Sequence, residues 1–416
     1  LWKKNIFDFP RYLTIGSFSN GFVSWIFGAT GPLLLILQAA SIGHLNESSV
    51  SSWIFGIYGM GGLLTLILSL YYRQPIGFAF SIPGAILVGS SLTHHTLNEV
   101  AGAYIVTGVI ILVLGLTGVI SVLMKVLPLP IMMGMVSGVL LPFGTDMVHG
   151  VIDNPLINGI PLLVFLFLSF FKNLSKKVPP ILGAIIASVI MLKIFPMKTQ
   201  AGVSFSMTIP HVILPSFNLS TMGELVLPLV LTVVAIQNAQ GIAVLESHDY
   251  KPPINAMSSW SGIGSILNSF VGAHPACIAG PMTGILAGEE SGHKENRYTS
   301  AVVLGILSCL LAVFAPVAAS IPHLIPASLI KTLGGLAMIG VLIDSLKMSF
   351  SHNFKAGSLF SFLITVSGIS IFHIGAPFWG LLGGTIAAFF LNKNDFAKIT
   401  FSEAKNSEPD QMDEIA

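Results

Sequence analysis

The sequence predicts an all-α polytopic membrane protein with fourteen transmembrane segments in a 7+7 inverted repeat, the third and tenth broken into a strand-like run followed by a half-helix. Three observations carry this. Of 416 residues, 53% are hydrophobic and 9% charged, with a mean hydropathy of +0.84; a soluble domain carries about a quarter charged residues. Apolar stretches of span length recur along the whole chain between polar or Pro/Gly punctuation. Each half also holds one apolar segment with a proline where an extended run turns helical. A soluble enzyme is thereby excluded.

In chain order, full spans are expected at 12–40 and 51–71, the broken segment at 75–95, and full spans at 99–124, 128–149, 154–172 and 178–196. The division of 99–149 rests on Leu127-Pro128-Leu129-Pro130, because proline removes a helical donor and pushes its predecessor out of the helical region. A polar-amphipathic loop with Pro210 and Pro215 follows. The order then repeats at 222–246, 253–271, broken 273–290, 297–321, 324–346, 355–373 and 376–392. No cleavable signal-peptide pattern is visible, so insertion is expected to rely on the first span.

Charge tests this layout. With the N-terminus in the cytoplasm, sixteen of the 19 lysines and arginines fall on the cytoplasmic side, Lys193 and Lys198 fall opposite, and Lys331 lies within a span. That obeys the positive-inside rule and supports an even count with both termini cytoplasmic. A formal charge of +1 with no basic patch excludes a nucleic-acid partner. Acidic residues cluster only between Glu403 and Glu414, which reads as a solvated tail. The two cysteines, Cys277 and Cys309, lie in apolar spans, so neither a disulfide nor a cysteine zinc site is indicated. No metal or cofactor is expected.

The halves echo each other. Ser51-Ser52-Trp53 opens the second span and Ser258-Ser259-Trp260 the ninth, each just before a broken segment; Asp146 ends the fifth span and Asp344 the twelfth, each after a proline pair. Trp could also recur simply as an interfacial anchor. The broken segments read Gln74-Pro75-Ile76-Gly77-Phe78-Ala79-Phe80-Ser81-Ile82-Pro83-Gly84-Ala85 and Gly272-Ala273-His274-Pro275-Ala276-Cys277-Ile278-Ala279-Gly280-Pro281-Met282-Thr283. Unwound backbone survives at membrane depth only where protein or a water-filled cavity covers it. A half-helix starting there aims free N–H groups and its positive dipole end at the cavity, which suits an anion. Pro83 and Pro281 stand in the first turn, where the missing N–H costs nothing.

Binding candidates are therefore Phe80, Ser81, Ile82, Pro83 and Gly84 from the first break, and Cys277, Ile278, Ala279 and Gly280 from the second. The alternative is a plain kink that lets helices pack closely. Gln237 and Asn238 are mid-span amides that either grip a ligand or clasp two helices, the clasp being worth about 1 kcal/mol. Thr30 and Gly31, followed by Pro32, are their expected counterparts across the cavity. Proton-relay candidates are His274, in the second break, and the acids Glu289, Asp146 and Asp344 near span ends. His274 could equally cap a carbonyl, and charges at span ends are cheap. Phe78 and Phe80 offer apolar walls, and His94 and His95 are placed at the outer end of the third span, in an interface.

Several of these runs resemble the benzoate/proton symporter (BenE) family: Ser51-Ser52-Trp53, Leu68 to Ile76, Ser81-Ile82-Pro83-Gly84-Ala85, Gln237-Asn238-Ala239-Gln240-Gly241, and Gly272-Ala273-His274. The likeness covers nearly the whole chain in the right order. It departs at Ile82, where the family has Thr, and at Gly280-Pro281-Met282-Thr283, where the family continues with alanines and a threonine. The resemblance implies the fold of uracil and xanthine permeases and sulfate-type anion transporters. It divides the chain into core segments over 1–125 and 222–322, gate segments over 126–198 and 323–393, an outer loop at 199–221 and a cytoplasmic tail at 394–416. It also implies proton-coupled import of benzoate or a related aromatic carboxylate across a bacterial cytoplasmic (inner) membrane. Its nucleobase relatives place a substrate-gripping residue in the eighth span, which favours Gln237 and Asn238 as ligand contacts. Many proteins of that fold are homodimers, although no interface signature is visible here.

Other functions fare less well. A nucleobase/proton symporter is expected to carry an acid where Gln237 and Asn238 stand. An uncoupled anion channel or facilitator of the same fold stays open. An intramembrane enzyme finds no His-Glu-x-x-His or Gly-x-Ser-x-Gly motif, and no phosphate-binding loop supports ATP as an energy source. Glu246-Ser247-His248-Asp249 is a run in a cytoplasmic loop, where adjacency makes no triad.

Overall fold

A computed structural model describes residues 2–118, 128–171, 180–195, 206–320, 326–351, 353–369, 371, 376–393 and 395. Leu127, Lys172, Lys176, Lys177, Lys198 and the acidic tail lie outside the described residues. Helix α1 (Trp2–Tyr12) leads into α2 (Ile15–Ile42), which opens on a reciprocal cap: Ser17 N–H donates to Thr14 Oγ1 (3.1 Å) and Thr14 N–H to Ser17 Oγ (3.0 Å). Asn46 caps α3 (Glu47–Tyr72) through Ser49 N–H (2.8 Å). Arg73, in a left-handed conformation, ends α3, and the chain turns through Pro75 into strand β1 (Phe78–Phe80) and helix α4 (Ile82–Ser91). Helices α5 (Leu97–Thr117), α6 (Leu129–Asp153), α7 (Pro155–Phe170) and α8 (Pro180–Ile194) complete the first half.

The second half runs α9 (Leu219–Leu231), a π-helical turn (Thr232–Asn238), α10 (Ala239–Ser247), α11 (Ile254–Ser269), β2 (Ala276–Ile278), α12 (Gly280–Ala287), α13 (Tyr298–Val313), the short α14 (Ala315–Ala319), α15 (Ala327–Phe350), α16 (Lys355–Val366) and α17 (Ala376–Leu391). Every expected segment thus contains a helix, but not every helix is a full span. Among the described residues, six helical stretches are long and apolar enough to cross a bilayer alone, and Ala327–Ala337 with Leu342–Phe350 makes a seventh as a pair bent by 43°. Pro155–Phe170, Pro180–Ile194, Lys355–Val366 and Ala376–Leu391 are apolar but shorter than 18 residues. At 1.5 Å per residue such a helix falls short of the roughly 30 Å hydrocarbon core. The fourteen-span count is therefore not established by helix length. Asp146 and Asp344 do not end their helices either, since α6 continues to Asp153 and α15 to Phe350.

Helix pairs meet where side chains are smallest. Gly62 of α3 faces the Gly305 carbonyl of α13, and Gly262 of α11 lies against Leu112 N and the Gly108 carbonyl of α5; a Cβ on Gly262 would stand 2.5 Å from Leu112 N. Such close backbone approach is how helices associate where lipid removes the hydrophobic drive. Helix α6 packs on α15 and α16, α7 on α8, and α16 on α17. Phe167, Phe170, Val189, Ile190, Phe389 and Phe390 of these outer helices are exposed, the composition expected of a face turned to acyl chains.

Candidate functional site

The two broken segments meet. β1 and β2 pair antiparallel, with Phe78 opposite Ile278, Ala79 opposite Cys277 and Phe80 opposite Ala276. Two strands of three residues leave most of their backbone groups unpaired, and in a bilayer each needs a partner. Neighbouring hydroxyls and one amide supply them. Thr65 Oγ1 accepts from Phe78 N–H (2.8 Å), Ser69 Oγ from Ile76 N–H (3.2 Å), Ser265 Oγ from Ala276 N–H (3.1 Å), and Thr283 Oγ1 from Gly77 N–H (3.2 Å). Asn238 Oδ1 accepts from Ile278 N–H (2.9 Å) while its Nδ2 donates to Ser261 Oγ (3.1 Å). Thr65, Ser69, Ser265 and Ser261 were not singled out in the sequence; their only signal is a hydroxyl on an apolar helix next to a broken segment.

Both half-helices begin beside this strand pair. Ser81 Oγ caps α4 by accepting from Gly84 N–H (3.1 Å), whereas Ala279, at the start of α12, has no capping side chain. Pro83 and Pro281 contribute no donor in their first turns. That leaves Ile82, Gly280 and Met282 as the first-turn residues whose N–H groups no helical carbonyl reaches.

Against these ends lies a cavity of about 470 Å³, within the usual range for a small-molecule site. Phe27, Gly28 and Pro32 of α2, Tyr58 of α3, Phe78, Ala79 and Phe80 of β1, Ile82 and Pro83 of α4, and Ala279, Pro281 and Met282 contribute walls. Gln237 and Gln240 supply amides, Ser308 a hydroxyl, and Asp344 of α15 a carboxylate; no other aspartate, glutamate, histidine, lysine or arginine is among the described lining residues. The Gln237 amide has no hydrogen-bond partner among the described residues, so it is available to a ligand.

Of the residues singled out in the sequence, Phe80, Ile82, Pro83, Ala279, Gln237 and Asp344 line this cavity, as does Phe78. Ser81 and Gly84 form the cap behind it, and Gly280 packs against Gln240. Asn238 and Ile278 hold the strands rather than the cavity wall, and Cys277 is buried with Ile111, Val230, Val233 and Val234. Thr30 turns its hydroxyl onto its own helix at the Ile26 carbonyl (2.7 Å) and Gly31 packs on Ala337, so α2 presents Phe27, Gly28 and Pro32 instead.

The remaining relay candidates separate. His274 is fully buried: Nδ1 accepts from Trp53 Nε1–H (2.9 Å), so Nε2 carries the proton and donates to the Ser81 carbonyl (3.1 Å). Both partners are incapable of exchanging roles, which makes His274 a neutral strap between α3 and the start of α4. Trp53 is likewise buried and is no interfacial anchor. Asp146 accepts from Gln38 Nε2 (3.3 Å), away from the cavity, and Glu289 is exposed in a 3₁₀ turn after α12. His94 and His95, at the far end of α4, converge on the buried Glu224 of α9.

The sequence model of a family described as benzoate membrane transport protein matches residues 12–390. The chain is 31% identical over 375 residues to the inner membrane protein YdcO of Escherichia coli, covering 89% of this chain and 95% of that one. It is 27% identical over 378 residues to the benzoate membrane transport protein of Acinetobacter baylyi, covering 90% and 94%. Among solved structures it is similar to the transmembrane domain of the cyanobacterial bicarbonate transporter BicA, with a TM-score of 0.59, 14% identity, and 90% and 97% of the two chains covered. It is also similar to SLC26A9, with a TM-score of 0.58, 16% identity, and 89% and 64% covered. At such identities these structures speak for the fold alone.

Proposed function

The chain belongs to the benzoate membrane transport protein family, an integral membrane transporter family and not an enzyme, and on that premise we propose that it imports benzoate or a related aromatic carboxylate together with a proton. The observation that carries this is an apolar, aromatic-walled cavity against the N-termini of α4 and α12 with no basic side chain among its described lining residues. An aromatic ring finds Phe27, Tyr58, Phe78 and Phe80 there. Its carboxylate finds backbone N–H groups and two positive dipole ends in place of a lysine or arginine. Gln237 and Gln240 add neutral donors.

Asp344 is the group we assign to coupling. An ionised carboxylate facing the same cavity repels an anionic substrate, so protonation of Asp344 and binding of the anion favour each other. One anion with one proton makes transport electroneutral. His274, with both nitrogens committed, serves to hold the site.

The architecture we propose is the fourteen-segment inverted repeat, with core segments over 1–125 and 222–322 moving against gate segments over 126–198 and 323–393. Its support is exchange symmetry in the packing. The partner of the α3–α13 contact under exchange of the halves is α11–α5, that of α2–α13 is α9–α5, and that of α7–α8 is α16–α17; all are present, while β1–β2 and α6–α15 map onto themselves. The placement of the N-terminus in the cytoplasm is supported by the gathering of Arg73, Lys251, Lys294 and Arg297 with α1 at one end of the molecule.

The test is uptake of radiolabelled benzoate into proteoliposomes under an imposed inward proton gradient, with uracil and sulfate as competitors. The expected result is gradient-driven uptake that uracil and sulfate leave unchanged, that Gln237→Ala weakens and that Asp344→Asn uncouples from the gradient. Folded protein that takes up no benzoate, or whose uptake ignores the gradient, overturns the reading.

A further inference from the structure

We propose that His94, His95 and Glu224 form a binding site for a divalent transition-metal ion of the zinc type, remote from the substrate cavity. The three come from two elements. After α4 the chain turns so that the Ser91 carbonyl accepts the N–H groups of both His94 (3.1 Å) and His95 (2.9 Å), which sets two consecutive imidazoles against α9. Glu224 projects from the second turn of α9 and is 5% exposed. His94 Nε2 stands 2.9 Å and His95 Nε2 3.3 Å from the same oxygen, Glu224 Oε2. One ligand atom from each residue lies within 4.8 Å of the others.

Hydrogen accounting asks for a cation at that point. Thr93 donates its hydroxyl proton to the Ser90 carbonyl (2.7 Å), so its contact with His94 Nδ1 (3.0 Å) requires the ring to be the donor there. In the neutral ring this leaves a lone pair on His94 Nε2 facing a carboxylate oxygen. His95 has a side chain 7% exposed, and its Nε2 is buried without a hydrogen-bond partner. Two nitrogens and a carboxylate oxygen thus converge on one point. Protons satisfy all three only if His94 carries two and His95 takes its Nε2–H form, whereas a metal ion accepts a lone pair from each.

The surroundings fit a metal site as well. Ligating histidines are oriented through their second nitrogen by a neighbouring acceptor. Thr93 Oγ1 occupies that position for His94, and the Glu99 carboxylate lies 4.0 Å from His95 Nδ1, itself fixed by Asn218 Nδ2 (2.6 Å) and Thr96 N–H (2.9 Å). Two imidazoles and one carboxylate suit zinc and its neighbours, and magnesium and calcium poorly, since these take oxygen ligands. The His94 side chain is 40% exposed, so a water can complete the coordination shell from that side. A bound ion would tie the far end of half-helix α4 to α9, holding the element whose other end faces the cavity.

The experiment uses the full-length protein in detergent micelles, freed of any affinity tag and treated with chelator, titrated with Zn²⁺ against a chromophoric competitor, with Co²⁺ for its visible spectrum. One equivalent per chain is expected, with a zinc-dependent rise in Tm that Mg²⁺ does not reproduce. His95→Ala and Glu224→Gln should each weaken binding at least 10-fold and remove the Tm rise, while His211→Ala, outside the cluster, should change neither. Since a buried substitution can impair folding, the exposed-face variant His94→Ala is measured beside them and should also weaken binding. Substoichiometric binding, equal response to Mg²⁺, or unchanged affinity in His94→Ala and Glu224→Gln overturns the site.

Discussion

Trp53 donates its indole N–H to Nδ1 of His274 across 221 residues of sequence, at 2.9 Å. The bond fixes the imidazole tautomer, since an indole can only donate, and so directs the remaining imidazole N–H to the Ser81 carbonyl at the start of α4. The rings of Trp53, His274, Phe80 and Tyr58 then follow one another edge to face, at centroid separations of 5.7, 5.3 and 5.6 Å. One hydrogen bond thereby positions an aromatic column that ends in the cavity wall.

Trp53→Phe is expected to leave His274 Nδ1 buried without a donor, a loss of about 1–3 kcal/mol. Thermal unfolding in detergent should show a lower Tm, and His274→Ala, which orphans both the indole N–H and one bond to the Ser81 carbonyl, should lower it further. Equal Tm values for the parent and both variants would contradict the strap.

Asn238→Leu keeps the volume and removes the acceptor for Ile278 N–H. About 1–3 kcal/mol of destabilisation is expected from the orphaned donor. Ser261→Ala, which removes only the partner of Nδ2, should cost less. Hydrogen exchange at Ile278 should accelerate in the first variant and stay slow in the second.

Gly262→Ala places a methyl 2.5 Å from Leu112 N, a backbone atom that cannot give way without parting α5 from α11. Overpacking of this kind costs typically ~1–3 kcal/mol, and the yield of monodisperse protein should fall. Gly159→Ala in α7 meets only Val151 Cγ1, at 3.9 Å, and should be tolerated. Gel filtration of the two variants side by side separates close packing from a general sensitivity to added methyls.

Arg297 Nη1 donates to the Ala287 carbonyl (2.7 Å) at the end of α12, and its Nε to the Gly292 carbonyl (2.8 Å). It neutralises the negative end of the half-helix whose positive end faces the cavity. Arg297→Ala should destabilise by about 1–2 kcal/mol and slow uptake, while Arg297→Lys, a point charge without the fork, should recover part of both. Initial uptake rates measured alongside Tm test this; identical rates in all three proteins would refute it.

Much of the fold was legible because its signals are local. Pro83 and Pro281 marked the half-helix starts from their own chemistry, and the apolar runs marked the helices. Residues whose role depends on a distant partner were not legible in the same way. Thr30 and Gly31 were placed by analogy with Gln237 and Asn238, but the rotation of α2 turns Phe27, Gly28 and Pro32 to the cavity. The π-helical turn at Thr232–Asn238 shifts the register of the eighth segment, so that Gln237 faces the cavity while Asn238 meets the strand at Ile278. Helix periodicity sets two adjacent amides about 100° apart, but it does not tell which of them faces the cavity. His94 and His95 read as an interfacial pair because their third partner, Glu224, lies 130 residues further on.

The sequence by itself determined that this chain is a membrane protein with two proline-punctuated breaks, since hydrocarbon tolerates so few charges and so little unpaired backbone that composition and proline positions suffice. Tertiary structure alone decided which atoms meet. The strand register, the Thr283 hydroxyl that receives Gly77 N–H, the tautomer of His274 and the convergence of two histidines on Glu224 all depend on segments that approach from opposite halves of the chain. Hydrogen bonds act over about 3 Å, and residue spacing along a helix cannot say which distant helix will come within that reach.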